Sequence, residues 1–268
     1  NIRKLISENK YEQAGCSPDC NILHSLKHEG TINLFDTHML EMSEKNSFFK
    51  SNFLKLNNDI LTKKTKVTNM PIQLDIQPLE ACNMACTMCH QNHSNPTKLE
   101  VKTIEKLITP NLKTIYSISF QGGEVFVDSN YKELLIKLKS NIQSYQKIKV
   151  ITNGSLLSTN DLDRMTEGNN PINFSISADG INEQTFKKIR KSSHFNKVMK
   201  NIKYLAQLQE KKELHILIWN FVVMKSNFFE IKELIQISAR LKITINVQTI
   251  IGEYKDENIF QYKLIDKK

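Results

Sequence analysis

Glycine and proline, the residues that most often interrupt regular structure, are scarce in this sequence. The 268 residues include only 8 Gly and 6 Pro, about half the share that these residues have in average proteins. This scarcity excludes a collagen-like repeat and argues against long flexible linkers. Hydrophobic residues make up 40% of the sequence and charged residues 24%, a balance typical of globular proteins. We therefore expect a folded protein with a buried core.

A long apolar run is also missing. The most apolar stretch, HILIWNFVVM at 215–224, contains Asn220 and is shorter than the roughly 18 residues that a membrane span needs. The opening residues NIRKL carry neither an apolar signal region nor an initiator Met. We therefore expect a cytoplasmic protein without membrane contact, and an internal piece of a longer chain.

The positive charge of the sequence is not clustered. The formal net charge is +9, which permits nucleic acid or another acidic partner because cations attract polyanions. A nucleic-acid-binding domain collects its cations on one face, whereas here lysines are spaced along predicted helices, as in Lys132, Lys137 and Lys139. The pattern favours a solvated helical surface over a nucleic-acid interface.

Cysteine is rare, and its few residues are bunched. The sequence has 5 Cys. This number is too small for a disulfide scaffold, and because it is odd it would leave one cysteine unpaired. Cys16 and Cys20 form one group, and Cys82, Cys86 and Cys89 form the other. Such bunching favours a metal or cluster site over structural disulfides.

From about residue 71, short strand-like runs alternate with helix-like segments. The predicted strands are 72–77, 114–120, 148–152, 172–177, 215–224 and 243–250. Strands that alternate with helices predict a parallel sheet joined by right-handed crossovers. In several strands apolar residues alternate with small or polar ones, so one face suits a ligand cavity. An antiparallel sheet with one wet face is the alternative, and the intervening helical segments argue against it.

Two capping spacings and a change of pattern refine this organisation. Thr97 is followed by Glu100, and Asn227 by Glu230, which predicts two helix starts. Residues 1–70 show no alternating strands and contain the first cysteine pair. We therefore predict a small N-terminal unit at 1–70 and a core domain at 71–268.

The sequence CNMACTMCH at 82–90 follows the first predicted strand. Barrels built from parallel strands and helices bind their ligands at this end of the strands. Three thiolates at this spacing can hold three irons of a 4Fe–4S cluster and leave the fourth iron open. Zinc held by the three thiolates and His90 is the alternative. It is disfavoured because His90 adjoins Cys89 and can hardly turn back to the same ion.

The sequence QGGEVF at 121–126 follows the second predicted strand. Gly122 and Gly123 allow close backbone approach, and Glu124 supplies a carboxylate that can hold an ammonium group. Two glycines after a strand often form only a turn. The motif is informative because it lies on the same rim as the cysteines, that is, the edge of the predicted sheet where the parallel strands end.

In this order, these motifs resemble those of the radical S-adenosylmethionine (SAM) superfamily. The resemblance runs from 71 to about 250 and includes TNG at 152–154 and SADG at 177–180. It implies an α/β fold, a partial (βα)6 barrel of the radical SAM type with a small N-terminal cysteine-containing extension. It also implies an enzyme in which a reduced 4Fe–4S cluster cleaves SAM to a 5'-deoxyadenosyl radical that abstracts a substrate hydrogen.

The same resemblance implies the cluster ligands. Cys82, Cys86 and Cys89 would hold the cluster, and the methionine part of SAM would chelate the open iron. Relatives usually carry an aromatic residue where Met88 stands here. A thioether can still pack on adenine, so SAM binding remains the expectation.

The resemblance also implies the SAM contacts. The motif at 122–124 would hold the amino group of SAM. Ser177 and Asp179 would face the ribose or the carboxylate, and Arg190 would face the carboxylate. For Asn153, contact with the adenosyl group and simple turn chemistry with the following glycine remain open.

The segment 2–20 resembles the end of a SPASM-type auxiliary-cluster region. Cys16 and Cys20 are therefore a candidate auxiliary iron–sulfur site, although two cysteines cannot complete a four-thiolate set. Ligands upstream of Asn1 and a degenerate remnant with inert thiols are both open.

Partners follow from the resemblance by analogy. Relatives with auxiliary regions often modify peptides, which implies a peptide or protein substrate first and a small sugar-related metabolite second. An electron donor such as flavodoxin or ferredoxin would reduce the cluster. The competing function is a non-catalytic zinc or iron–sulfur protein with a structural or redox-sensing role.

Overall fold

The computed structural model describes residues 44, 46–91, 94–250, 254 and 256–259. Cys16 and Cys20 lie outside the described residues, so the auxiliary site stays a prediction. The chain divides into two compact units, one comprising Asn1–Gln73 and Ile108–Tyr116 and the other Leu74–Leu107 and Ser117–Lys268. The predicted boundary after residue 70 also stays a prediction.

The first unit contains helix α1 (Ser47–Leu61). Asn46 caps this helix, because its side chain accepts a hydrogen bond of 3.0 Å from the amide of Phe49. Phe49 and Phe53 are buried and stack with ring centroids 6.2 Å apart. Phe49 also contacts Tyr116, with ring centroids 6.3 Å apart, so three aromatic rings pack together in the described part of this unit.

The second unit contains the sheet and its helices. Its strands are β1 (Gln73–Ile76), β2 (Ser117–Phe120), β3 (Lys147–Thr152), β4 (Asn173–Ser177), β5 (Leu217–Val223) and β6 (Thr244–Thr249). Its helices are α2 (Val101–Ile108), α3 (Ser129–Asn141), α4 (Thr159–Thr166), α5 (Glu183–Arg190), α6 (Phe195–Lys212) and α7 (Ile231–Leu241). Short 3₁₀ helices span Val125–Val127 and Phe228–Glu230 in this unit, and Thr109–Asn111 in the first unit. Among the helices described, none combines the length and apolarity needed to cross a bilayer.

The six strands form one sheet in the order of the sequence, from β1 to β6. Strands β2 to β6 pair in parallel, with Phe120 opposite Val150 and Ser177 opposite Asn220. This topology confirms the predicted α/β class. The second predicted strand is shorter than expected, because the amides of Thr114 and Ile115 close a turn onto the carbonyl of Asn111.

The two faces of the sheet differ in polarity. One face carries fully buried apolar residues, among them Ile118, Phe120, Val150, Phe174 and Ile176. The other carries hydrogen-bonded polar side chains. Asn220 Nδ2 donates to Ser175 Oγ at 2.7 Å, and Asn246 Nδ2 donates to Asn220 Oδ1 at 3.0 Å. These three residues lie on β4, β5 and β6 and form a polar ladder across the sheet.

The predicted helix start at Asn227 is confirmed, but the side chains of Thr97 and Asn227 do not act as the predicted caps. The backbone amide and Oγ1 of Thr97 both donate to Glu80 Oε2 at 2.9 Å, so Thr97 anchors a loop. Asn227 precedes the short helix Phe228–Glu230, but its side chain does not cap that helix. In both cases a tertiary partner competes with the local backbone for the side chain.

Candidate cluster and SAM site

The three cysteines of the core domain lie on the loop that follows β1. This cysteine loop (residues 82–91) keeps Cys82, Cys86 and Cys89 half-buried, and none of them forms a disulfide. The amide of Cys89 donates to the carbonyl of Cys86 at 3.0 Å, which closes a turn between two of the thiols. The amide of Met84 approaches Cys82 Sγ at 3.4 Å, and that of Gln91 approaches Cys89 Sγ at 3.5 Å. Backbone donors of this kind stabilise sulfur ligands.

Burial controls the protonation of two of these thiols. It raises the pKa of Cys82 to about 11, although the amide of Met84 acts in the opposite direction. It also raises the pKa of Cys86, and the guanidinium of Arg190 opposes that rise. Only the thiolate binds metal, so cluster binding at these residues would release protons.

A ring of three side chains ties the cysteine loop to the end of β3. Asn153 Nδ2 donates to Asn83 Oδ1 at 2.8 Å, and Asn83 Nδ2 donates to Ser155 Oγ at 2.9 Å. Ser155 Oγ donates to Asn153 Oδ1 at 2.7 Å and completes the ring. Sequence reasoning missed Asn83 and Ser155. The role of Asn153 as a SAM contact stays a prediction.

On its other side, the cysteine loop binds the end of α5. The amide of Thr87 donates to the carbonyl of Ile189 at 2.8 Å. The next residue, Arg190, donates through Nη1 to Cys86 Sγ at 3.6 Å. Met88 packs against an apolar cluster that includes Ile189 and Met224. The loop is therefore held at both flanks.

Asp179 follows β4 and is fully buried. Its Oδ1 accepts a hydrogen bond of 2.7 Å from the amide of Val222, and its Oδ2 lies 2.6 Å from Arg190 Nη2. Asn227 Nδ2 donates to its carbonyl at 3.0 Å. Burial raises the pKa of this carboxyl, and Arg190 opposes the rise. Ser177, the last residue of β4, is half-buried. The roles of Ser177 and Asp179 toward SAM stay predictions.

The two glycines of the GGE motif allow the loops after β1 and β2 to touch. The amide of Gly123 donates to the carbonyl of Leu79 at 2.9 Å. A Cβ at Gly123 would overlap the carbonyl oxygens of Glu80 and Ala81. Gly122 has φ of 137°, a conformation that residues with a side chain rarely adopt. The motif is thus required for close packing of the rim.

Glu124 is fully buried and accepts three hydrogen bonds. Its Oε1 accepts from the amide of Phe126 at 3.1 Å and from Thr152 Oγ1 at 2.7 Å, and its Oε2 accepts from the amide of Asn153 at 2.7 Å. Burial raises the pKa of Glu124, and these donors act against the rise. Glu124 therefore joins the ends of β2 and β3. Its contact with the ammonium group of SAM stays a prediction.

The donor set suits an iron–sulfur cluster and an anionic ligand. Within the described part of the chain, no three Cys, His, Asp or Glu side chains converge as ligands of a single metal ion. Cluster thiolates bind different irons and do not need to converge on one point. Arg190 Nε is buried without a hydrogen-bond partner, which leaves a donor for a carboxylate. Fold and site together define an α/β protein in which three half-buried free thiols lie on one loop beside a buried arginine.

A model of the radical SAM superfamily matches residues 76–236. The chain belongs to this superfamily of enzymes, whose cofactors are a 4Fe–4S cluster and SAM. The predicted family, its cofactors and its fold are therefore confirmed.

Curated relatives extend over part of the chain. AlbA, the antilisterial bacteriocin subtilosin biosynthesis protein of Bacillus subtilis (strain 168), is 26% identical over 55% of this chain and 33% of its own length. A GTP 3',8-cyclase of Clostridium botulinum (strain Okra / Type B1) is 26% identical over 72% of this chain and 63% of its own length. The chain thus spans less than two thirds of either relative.

A solved structure, native anSMEcpe with bound AdoMet, has the same fold. Its TM-score is 0.55 at 20% identity, over 69% of this chain and 56% of that one. A second structure of anSMEcpe, with bound AdoMet and the Cp18Cys peptide, has a TM-score of 0.55 at 20% identity, over 70% of this chain and 55% of that one.

Proposed function

We propose that this chain is the catalytic core of a radical SAM enzyme whose cluster is held by Cys82, Cys86 and Cys89. The observation that carries the proposal is the set of three half-buried thiols on one loop, none of them in a disulfide, beside the buried cation of Arg190. When bound, the cluster and SAM supply a 5'-deoxyadenosyl radical that abstracts hydrogen from a substrate. The chain's own residues bind, orient and shield these groups.

Seven further residues, all outside the cysteine loop, would hold SAM. The carboxylate of Glu124 and the backbone of the preceding glycines would hold its ammonium group. Ser177 and Asp179 would face the ribose or carboxylate, and the unpaired Nε of Arg190 would bind the carboxylate. Asn153 would contact the adenosyl group while remaining bonded to the cysteine loop.

Anaerobic reconstitution tests this function. The wild-type protein should take up about four irons at these three cysteines, show a visible spectrum that responds to SAM, and form 5'-deoxyadenosine with a reductant. The triple variant Cys82→Ala, Cys86→Ala, Cys89→Ala should lose the SAM response. A wild-type protein that binds zinc alone and is colourless would support the non-catalytic alternative instead.

A peptide or protein is the first substrate that we propose. The polar ladder Ser175–Asn220–Asn246 lies on the polar face of the sheet and ends in the exposed Asn246. Side-chain amides of this kind pair with peptide amides. The likeness to AlbA, a bacteriocin biosynthesis protein, and to anSMEcpe, which is known with a bound peptide, supports the same substrate class.

A nucleotide is the second candidate, favoured by the match to GTP 3',8-cyclase over 72% of this chain. Lys149 also lies half-buried on the polar face, in register with Ser119 and Asn173, where a cation suits phosphate. The rate of 5'-deoxyadenosine formation should be measured without substrate, with the Cp18Cys peptide and with GTP. A substrate of the right class should raise this rate above the substrate-free value. Stimulation by GTP alone would contradict the peptide proposal.

The electron donor would be an acidic protein such as flavodoxin or ferredoxin. The net charge of +9 favours association with an acidic surface. Thiols that must stay reduced also suit a cytoplasmic location.

A further inference from the structure

The guanidinium of Arg190 is buried between a candidate cluster ligand and a carboxylate. Its Nη1 donates to Cys86 Sγ at 3.6 Å, and its Nη2 lies 2.6 Å from Asp179 Oδ2. Its side chain is only 9% exposed, and that of Asp179 is 0% exposed. Charges in such a site are screened far less than surface charges, so the cation acts strongly on the sulfur beside it.

Both ends of this contact are fixed by backbone hydrogen bonds. Arg190 is the last residue of α5, and the helix ends in Lys191, which adopts a left-handed conformation and donates to the carbonyl of Lys187 at 3.0 Å. Thr87, next to Cys86, is bonded to the carbonyl of Ile189 at 2.8 Å. The guanidinium and the sulfur are therefore brought together by neighbouring residues on each side.

Asp179 is also held in place by hydrogen bonds. Its Oδ1 accepts from the amide of Val222 at 2.7 Å, and its carbonyl accepts from Asn227 at 3.0 Å. The Asn227 side chain also accepts from the amide of Met224 at 2.7 Å. The amide of Val222 on β5 thus fixes the carboxylate, and Asn227 in the turn after β5 holds the backbone of Asp179. The carboxylate in turn holds the guanidinium beside Cys86.

We infer that Arg190 is a positioning residue that donates a hydrogen bond to the Cys86 sulfur of the bound cluster and thereby makes the cluster easier to reduce. The inference rests on the proposed function. Hydrogen bonds to ligating sulfurs and nearby charge set the reduction potentials of iron–sulfur clusters. Reduction adds negative charge to the cluster, and a buried cation at one ligand stabilises that added charge.

This role differs measurably from two simpler ones. A residue that only binds the SAM carboxylate changes SAM affinity but leaves the cluster potential without SAM unchanged. A residue that only supports the fold changes the melting temperature. The midpoint potential measured in the absence of SAM therefore isolates the effect of Arg190 on the cluster from its effect on SAM binding.

The experiment compares anaerobically reconstituted full chains. Each is titrated with a reductant, and electron paramagnetic resonance measures the reduced cluster at each potential. Arg190→Met removes the donor but leaves Asp179 as an unpaired buried charge. The double variant Arg190→Met, Asp179→Asn leaves no unpaired charge and keeps the net charge of the pair at zero. It is the variant that decides the question if the single one does not fold. Arg164→Gln, which removes an exposed arginine paired with Glu133, is the matched control.

We expect a more negative midpoint potential in Arg190→Met and in the double variant, and no change in Arg164→Gln. Arg190→Lys keeps a cation beside Asp179 and should show a smaller negative shift. Wild-type potential in the folded, iron-loaded double variant would overturn the inference while leaving the proposed function intact. A wild-type protein without a SAM-responsive cluster would overturn the proposed function and, with it, the inference.

Discussion

At position 123 the chain has no room for a side chain. We expect Gly123→Ala to destabilise the protein by about 1–3 kcal/mol, a typical cost of overpacking, because its Cβ would overlap the carbonyls of Glu80 and Ala81. Gly168→Ala is the control, since Gly168 has a positive φ of 73° but no neighbour near its Cβ. It should cost only about 1 kcal/mol of backbone strain. Urea unfolding of both variants measures the difference, and equal losses would contradict the packing explanation.

Glu124 carries a second prediction at the residue scale. If its carboxylate also holds the ammonium group of SAM, Glu124→Gln should weaken SAM binding about 10-fold to 150-fold, which corresponds to about 1.5–3 kcal/mol. The variant also places an amide donor toward the amide of Asn153, so the melting temperature should fall. Cluster content should stay unchanged. Titration of the cluster spectrum with SAM measures the affinity, and wild-type affinity with a lowered melting temperature would leave Glu124 a purely structural role.

At the scale of elements, the cysteine loop depends on its ring of polar side chains. We expect Asn83→Ala and Ser155→Ala each to cost about 0.5–1.5 kcal/mol and to speed the loss of iron to a chelator. The double variant should lose less than the sum of the single losses, because both residues belong to one ring. Asn170→Ala removes one hydrogen bond to the carbonyl of Ile142 away from the loop and is the control. If Asn170→Ala lost iron as fast as Asn83→Ala and Ser155→Ala, a positioning role for the ring would be contradicted.

The carboxylate of Asp59, in the last turn of α1, carries a prediction about pH. Hydrogen bonds from Lys64 and Thr68 lower the pKa of Asp59 to about 2, below the usual value of about 3.9. The folded state therefore favours the charged carboxylate. This stabilisation is present above about pH 4 and is lost as the pH falls toward 2.

Asp59→Asn should flatten the decrease of the melting temperature between about pH 4 and pH 2. Thr68→Val removes one hydroxyl donor to Asp59 and should flatten the same part of the profile less. Melting curves recorded at each pH measure this effect. A wild-type slope in Asp59→Asn would show that the carboxylate does not contribute to acid unfolding.

At the scale of the whole molecule, the iron count tests whether the chain holds one cluster or two. We expect the triple cysteine variant of the core domain to retain almost no iron, because Cys16 and Cys20 supply only two thiolates and a cluster needs more ligands. Iron and sulfide analysis after reconstitution measures this. About four irons per chain in the triple variant would show a complete auxiliary site.

Much of the fold was predictable from local patterns. The period-two alternation in segments such as 172–177 located the strands in order, and the helical segments between them predicted a parallel sheet. The spacing of Cys82, Cys86 and Cys89, directly after a strand, also predicted their place on one loop. These features depend on residues close together in the sequence, so the sequence alone determined them.

Only the tertiary structure decided how the site is held together. Asn83 and Asn153 are separated by 70 residues, and Cys86 and Arg190 by 104. Asn227, predicted to cap a helix, instead supports Asp179 from 48 residues away. Local periodicity carries no information on such pairs, because the crossovers of the sheet bring distant strand ends together. The sequence determined which groups follow the strand ends, and the order of the strands in the sheet decided which of them touch.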